Sequence, residues 1–106
     1  MRSYSRREYV SRVITTVVLD AAVQKALPKL PLNVRAKLLG WVLSVQSDGL
    51  ENVRKAPGFH DEPLKGKRAG QRSVRLSRTY CALYRIERNA VRVEIVRVFD
   101  VNKHDY

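Results

Sequence analysis

The sequence predicts an α+β fold, a small antiparallel β-sheet with two helices packed on one of its faces. Two patterns predict it. Between residues 20 and 46 the apolar residues recur at helical spacing, whereas from residue 72 onward they alternate with polar ones, as in strands. Between these halves lies a stretch rich in Gly and Pro, residues 50–70, that reads as a loop. Three late consecutive strands pair most simply as an antiparallel meander, and two helices then cover one side. The other side is left to arginines and a ligand.

Each element has a local cause. Residues 1–8 are polar and basic, and predict a flexible N-terminus. "YVSRVITTVVL", residues 9–19, is dense in β-branched side chains and predicts a strand over part of its length. Asp20 then suits the N-cap of a short helix, "AAVQKAL", stopped by Pro28. Pro31 suits the first turn of a second helix, in which Val34, Leu38, Leu39, Trp41, Val42 and Val45 follow the i, i+3/i+4 rule. Gly40 weakens that helix and suggests a close contact, and "SDG" ends it. In the second half, "RSVRL" puts Val74 and Leu76 on one face and Arg75 on the other. "YCALYRIE" separates Tyr80, Ala82, Tyr84 and Ile86 from Cys81, Leu83 and Arg85. "RN" at 88–89 predicts a turn into the last strand, "AVRVEIVRVF".

The chain has 106 residues, of which 44% are hydrophobic, so one domain spanning 1–106 with one core is expected. Its 21 Lys and Arg outweigh 10 Asp and Glu, giving a net charge of +11. That excess exceeds what solubility requires and points to a polyanionic partner, bound through counterion release. No stretch is both long and amphipathic enough for an interfacial helix, and none approaches the roughly 18 apolar residues of a membrane span. The lone cysteine gives no intramolecular disulfide, and "MRSYSRREYV" has no apolar signal core, so a cytoplasmic location without membrane contact is expected. No Walker or Rossmann glycine loop is present. One cysteine with two distant histidines makes a poor zinc site, and no cofactor is expected.

What remains is acid–base chemistry on a basic surface. RNA is cleaved when its 2′-hydroxyl attacks the adjacent phosphorus and the 5′-oxygen departs. The reaction wants a base, a cation on the phosphoryl oxygens and an acid for the leaving group. Glu62 offers a base, Arg75, Arg78 and Arg85 offer charge, and His104 offers an acid. By composition alone this inventory is common to many basic domains, and a non-enzymatic RNA-binding module fits it as well.

Three motifs narrow the choice: "EPLKG" at 62–66, "SVRLSRTY" followed by "ALY" across 73–84, and a terminal "NKHDY" at 102–106. Together they resemble toxins of the RelE/ParE superfamily, most closely the RelE, YoeB and HigB branches. The resemblance covers all but the first ten residues. It implies a ribosome-dependent mRNA endonuclease that cuts the codon in the A site and is neutralised by a cognate antitoxin, with the ribosome and mRNA as further partners. It also implies a RelE-like fold. Under it, Glu62 is the general base and Arg75 contacts substrate phosphate, while Lys65, Lys67 and Arg68 contact RNA backbone. His104 and Tyr106 resemble the terminal acid and aromatic pair. Asp105 intervenes between them, as in HigB endings, and is a second candidate for the acid. His60 has no counterpart and reads as a surface loop residue, and Trp41 and Tyr84 read as core. A ParE-like gyrase inhibitor of the same fold is the alternative, although "EPLKG" with "HDY" speaks against that branch.

One position departs from the pattern. Family members of this type carry an arginine where Cys81 stands, on the substrate face, to neutralise the scissile phosphate. A thiol is neutral near pH 7 and a thiolate repels phosphate, so Cys81 is not read as a nucleophile. Either the activity is attenuated or a neighbour such as Arg85 supplies the charge.

Overall fold

The structure is a computed structural model and describes residues 13–87 and 90–97. Five strands form one sheet in the order β1-β5-β4-β3-β2. They are β1 (Thr16–Leu19), β2 (Glu62–Pro63), β3 (Arg72–Arg75), β4 (Tyr80–Glu87) and β5 (Ala90–Arg97). Helices α1 (Ala21–Ala26), α2 (Leu32–Asp48) and α3 (Leu50–Arg54) follow β1. The expected α+β class holds, with two refinements. β1 lies parallel to β5, Thr16 opposite Ala90 and Leu19 opposite Val93, so the sheet is mixed. The segment 50–70 is also more ordered than a plain loop. It contains α3, single 3₁₀ turns at Pro57–Phe59 and Gly66–Arg68, and the edge strand β2.

The α2 helix is positioned by its buried face. Val34, Leu38, Trp41 and Val45, spaced by three or four residues, are almost wholly removed from water. They meet Val74, Ala82, Tyr84 and Val91 from the sheet. The Trp41 and Tyr84 rings sit 5.2 Å apart at 43°, a tilted aromatic pair at the centre of the core. Leu39, expected inside, is on the opposite side of the helix. It is 40% exposed and aligned with Leu32 (72%) and Leu43 (63%), because α2 is apolar on two faces and only one meets the sheet. Gly40 is exposed, with open space where a side chain would stand, so the close contact expected there does not exist.

Gly49 is the glycine the fold requires. It ends α2 and begins α3 with φ +87°, and an added Cβ would meet Val13 Cγ1 at 3.1 Å. Beside it the Leu50 N–H donates to the Ile14 carbonyl at 2.9 Å, tying the helical layer to the segment before β1. Asp20 does occupy the N-cap of α1, but its side chain makes no capping bond. Its carbonyl accepts the Gln24 N–H, and Gln24 Nε2 donates back to the Leu19 carbonyl at 2.7 Å. The N-terminal stretch 1–8 and the 88–89 turn lie outside the described residues.

Candidate nucleic-acid interface

Strand alternation places the chemistry. On β4 the even-numbered Ala82 and Tyr84 face the helices, so Cys81, Leu83 and Arg85 face away from them. On β3, Val74 is in the core, so Ser73 and Arg75 share the outer face. The register aligns the two rows, with Ser73 opposite Leu83 and Arg75 opposite Cys81. On the other side of β3, Glu62 stands opposite Ser73. A concave surface of about 690 Å³ opens over this face, and Glu62, Lys65, Arg75, Arg78, Cys81 and His60 are among the residues that line it.

What aims Glu62 into this cleft is its neighbour. The Asp61 side chain is fully buried and accepts hydrogen bonds from Arg72 Nε at 2.5 Å and from the Tyr84 hydroxyl at 2.6 Å. Both partners are on the core side of the sheet. With Asp61 pinned to that side, pleating turns the next residue, Glu62, to the other. Burial, the Asp61 hydrogen bond and the Asp61 charge together hold the Tyr84 hydroxyl far above the usual tyrosine range. Desolvation alone would lower the Arg72 pKa, but the Asp61 hydrogen bond and charge outweigh it and raise it.

Two turns supply cations at the rim. The β3–β4 hairpin closes with the Leu76 and Ser77 N–H groups both donating to the Tyr80 carbonyl, at 3.0 and 3.1 Å. Its tip, "SRT", is held by the Thr79 N–H donating to Ser77 Oγ, and presents the exposed Arg78. Lys65 follows β2, where the Leu64 N–H donates to the Gln71 carbonyl at 2.9 Å.

The expected site residues therefore divide into three groups. Glu62, Lys65, Arg75, Arg78 and Cys81 come together on one cleft. Lys67 and Arg68 are exposed on the Gly66–Arg68 turn but do not line it, and Arg68 Nη1 donates to Gln71 Oε1 at 3.0 Å. Arg85 is one residue beyond the last β3–β4 pair, and its Nε donates to Glu87 Oε2 at 2.7 Å. It does not line the cleft, and the guanidinium facing Cys81 is that of Arg75. His104, Asp105 and Tyr106 lie outside the described residues. Burial raises the Cys81 thiol above its ordinary range, against the opposing pull of the Arg75 charge and a Ser73 hydrogen bond, so a neutral thiol occupies the position at pH 7.

Sequence reading passed over Asp61, which positions Glu62, and treated His60 as bland although it shares the cleft. The signal for Asp61 was parity, since Arg72 and Tyr84 both fall on the apolar side of their strands, where a cation and a phenol require a partner. No group of three or more His, Cys, Asp or Glu is arranged to hold a metal ion among the described residues. No helix among them is long and apolar enough to cross a membrane.

No protein-family profile matches the sequence, and no curated protein matches it. Solved structures do. The toxin–antitoxin complex RelBE2 of Mycobacterium tuberculosis contains a chain 25% identical, aligned over 80% of this chain and 99% of that one, with a TM-score of 0.58. A copper-bound mutant toxin from Helicobacter pylori is 21% identical over 77% of this chain and 92% of its own, with a TM-score of 0.60. The YoeB dimer of Staphylococcus aureus is 14% identical over 84% and 99%, with a TM-score of 0.59.

Proposed function

We propose that this chain, which has the fold of the RelE/ParE-superfamily toxins, is an endoribonuclease toxin that cleaves mRNA on the ribosome. The observation that carries the reading is one carboxylate, Glu62, facing the same cleft as Lys65, Arg75 and Arg78 on the sheet face the helices leave open. Glu62 takes the proton of a 2′-hydroxyl. Arg75, placed diagonally from Glu62 across β2 and β3, and Lys65 and Arg78 at the rim bind the phosphate that the 2′-oxygen attacks. The P–O5′ bond then breaks as the departing oxygen takes a proton from an acid, a role for which the resemblance offers His104 or Asp105, leaving a 2′,3′-cyclic phosphate and a 5′-hydroxyl. The reaction as written uses protein groups alone. Lys67 and Arg68, displayed beside the cleft, extend the contact to RNA backbone, and the terminal His104, Asp105 and Tyr106 complete the site by family resemblance. An antitoxin partner is expected from the likeness to a toxin–antitoxin complex, and the site of action is the cytoplasm, where translating ribosomes are. Cys81 in place of an arginine leaves Arg75 as the guanidinium nearest the scissile phosphate, and attenuates the activity.

The test is a translating extract with mRNA 3′ ends mapped against codon position. Cleavage in the A site supports the reading. Intact mRNA with trapped, cleaved plasmid DNA identifies a gyrase poison instead, and RNA binding without either identifies a binding module.

A further inference from the structure

The cleft contains an imidazole that the reading above does not use. His60 reaches the same concave surface as Glu62, Lys65 and Arg75. It is two residues before Glu62, at the end of the Pro57–Phe59 turn, and it is exposed. Two features fix its place. Its backbone is left-handed, with φ +48° and ψ +53°, and it is the one described non-glycine residue with positive φ. Its N–H donates to the Pro57 carbonyl at 3.2 Å, closing the turn. The turn is in turn fastened to the long helix, because Lys37 Nζ donates to the Gly58 carbonyl at 3.1 Å and lies 5.3 Å from the centre of the Phe59 ring. A strained backbone held from two sides is what a site residue whose position matters requires.

We propose that His60, in place of the terminal His104 or Asp105 that the resemblance offers, is the general acid of this cleft and protonates the departing 5′-oxygen while Glu62 deprotonates the 2′-hydroxyl. This rests on the reading of the cleft as an RNA-cleaving site. The proton balance closes. Glu62 gains the 2′-hydroxyl proton as the O2′–P bond forms, and the His60 imidazolium gives one to O5′ as the P–O5′ bond breaks. Exchange with water then resets both groups. Lys65, Arg75 and Arg78 face the same space and stabilise the phosphoryl oxygens, and Cys81 contributes a neutral thiol.

His60→Gly is the incisive variant, because glycine adopts this left-handed backbone more readily than any residue with a Cβ, so the turn is kept while the imidazole is removed. His60→Asn, which also tolerates the conformation, is the second. Single-turnover cleavage of ribosome-bound mRNA is measured for parent and variants on two substrates. One is ordinary RNA. The other carries a 5′-bridging phosphorothiolate at the mapped cleavage position, whose sulfur leaves without protonation. Both variants are expected to lose about 10²–10⁴-fold on ordinary RNA and less than about 10-fold on the phosphorothiolate, with added imidazole partly restoring His60→Gly. Variants that cleave ordinary RNA within about 3-fold of the parent overturn the proposal, as does an equal loss on both substrates, which marks a structural role. A parent that cleaves neither substrate overturns the nuclease reading and this proposal with it, whereas an active parent with indifferent His60 variants overturns this proposal alone.

Discussion

The Tyr84 hydroxyl donates a 2.6 Å hydrogen bond to Asp61 Oδ2, joining the middle of the sheet to the residue just before the edge strand. Arg72 Nε completes the arrangement from β3. Removing the carboxylate leaves a guanidinium and a phenol without their partner below the sheet. Asp61→Ala is therefore expected to destabilise the fold by about 3–5 kcal/mol, whereas Tyr84→Phe, which removes one hydrogen bond, loses about 1 kcal/mol. Urea unfolding of the two variants and the double mutant measures both values and their coupling. Equal, small effects would mean that Asp61 does not hold β2 in place.

Glu62 is exposed, so its replacement should leave the packing undisturbed, and under the proposed mechanism it serves as the base. Glu62→Gln is expected to lower single-turnover cleavage by about 10²–10⁴-fold while shifting unfolding free energy by no more than about 0.5 kcal/mol. Parental activity in the purified variant would remove Glu62 from the mechanism.

Cys81 faces away from the helices, so an arginine there enters the cleft and not the core. Cys81→Arg is expected to fold normally and to cleave about 10²–10³-fold faster, the usual worth of one preorganised contact to developing charge. Growth arrest and mapped cleavage at equal soluble protein decide the matter. A folded variant no faster than its parent shows that Arg75 already fills the role.

Stability is expected to decline at alkaline pH. Cys81 and Tyr84 both have raised pKa values in the folded state, principally through burial. Once pH exceeds their unfolded values, about 8.5 for the thiol and about 10 for the phenol, the unfolded chain has lost protons that the folded one keeps. Folding is then disfavoured progressively. Unfolding free energy followed from pH 7 to 11 should fall in two stages, the first absent in Cys81→Ser and the second reduced in Tyr84→Phe. A curve unchanged by either substitution would show that other groups dominate.

RNA affinity is expected to fall steeply with salt, given the net charge of +11. Neutralising Lys65, Arg75 or Arg78 should each reduce the slope of log K against log salt by about 0.7 for single-stranded RNA. Filter binding across about 50–200 mM salt, the range over which such contacts lose much of their affinity, reads this directly. An unchanged slope would place the RNA on another face.

What the sequence disclosed and what it hid follow from range. Period-two alternation separated Arg75 from Val74 on one strand and Cys81 from Tyr84 on the next, because a strand fixes side-chain direction locally. Helical spacing found Trp41 and its neighbours but also enrolled Leu39, since spacing reveals an apolar face and not which of two faces meets the sheet. The Asp61–Arg72–Tyr84 arrangement was hidden because its members are 11 and 23 residues from Asp61 and meet only after three strands align. The parallel pairing of β1 with β5 was hidden for the same reason, as periodicity names no partner. Arg85 was offered as a stand-in for the missing arginine, yet the register gives that place to Arg75, a fact only strand pairing contains.

The strand order also governs when the molecule can exist. β5 is the latest of the described strands in the chain, yet it is interior to the sheet, between β1 and β4. Until it emerges from a translating ribosome, β1 has no neighbour among the described strands and the closing ladder opposite Tyr80–Glu87 is missing. Its contacts with β1 also span most of the chain, the kind of closure that forms slowly. Until β5 has emerged, a nascent chain therefore has the strands that line the cleft without the interior strand that joins them to β1. Chains cut before Ala90 are expected to lack the cooperative unfolding transition of the whole protein, so the cell that makes this polypeptide meets its finished sheet only after β5 has docked.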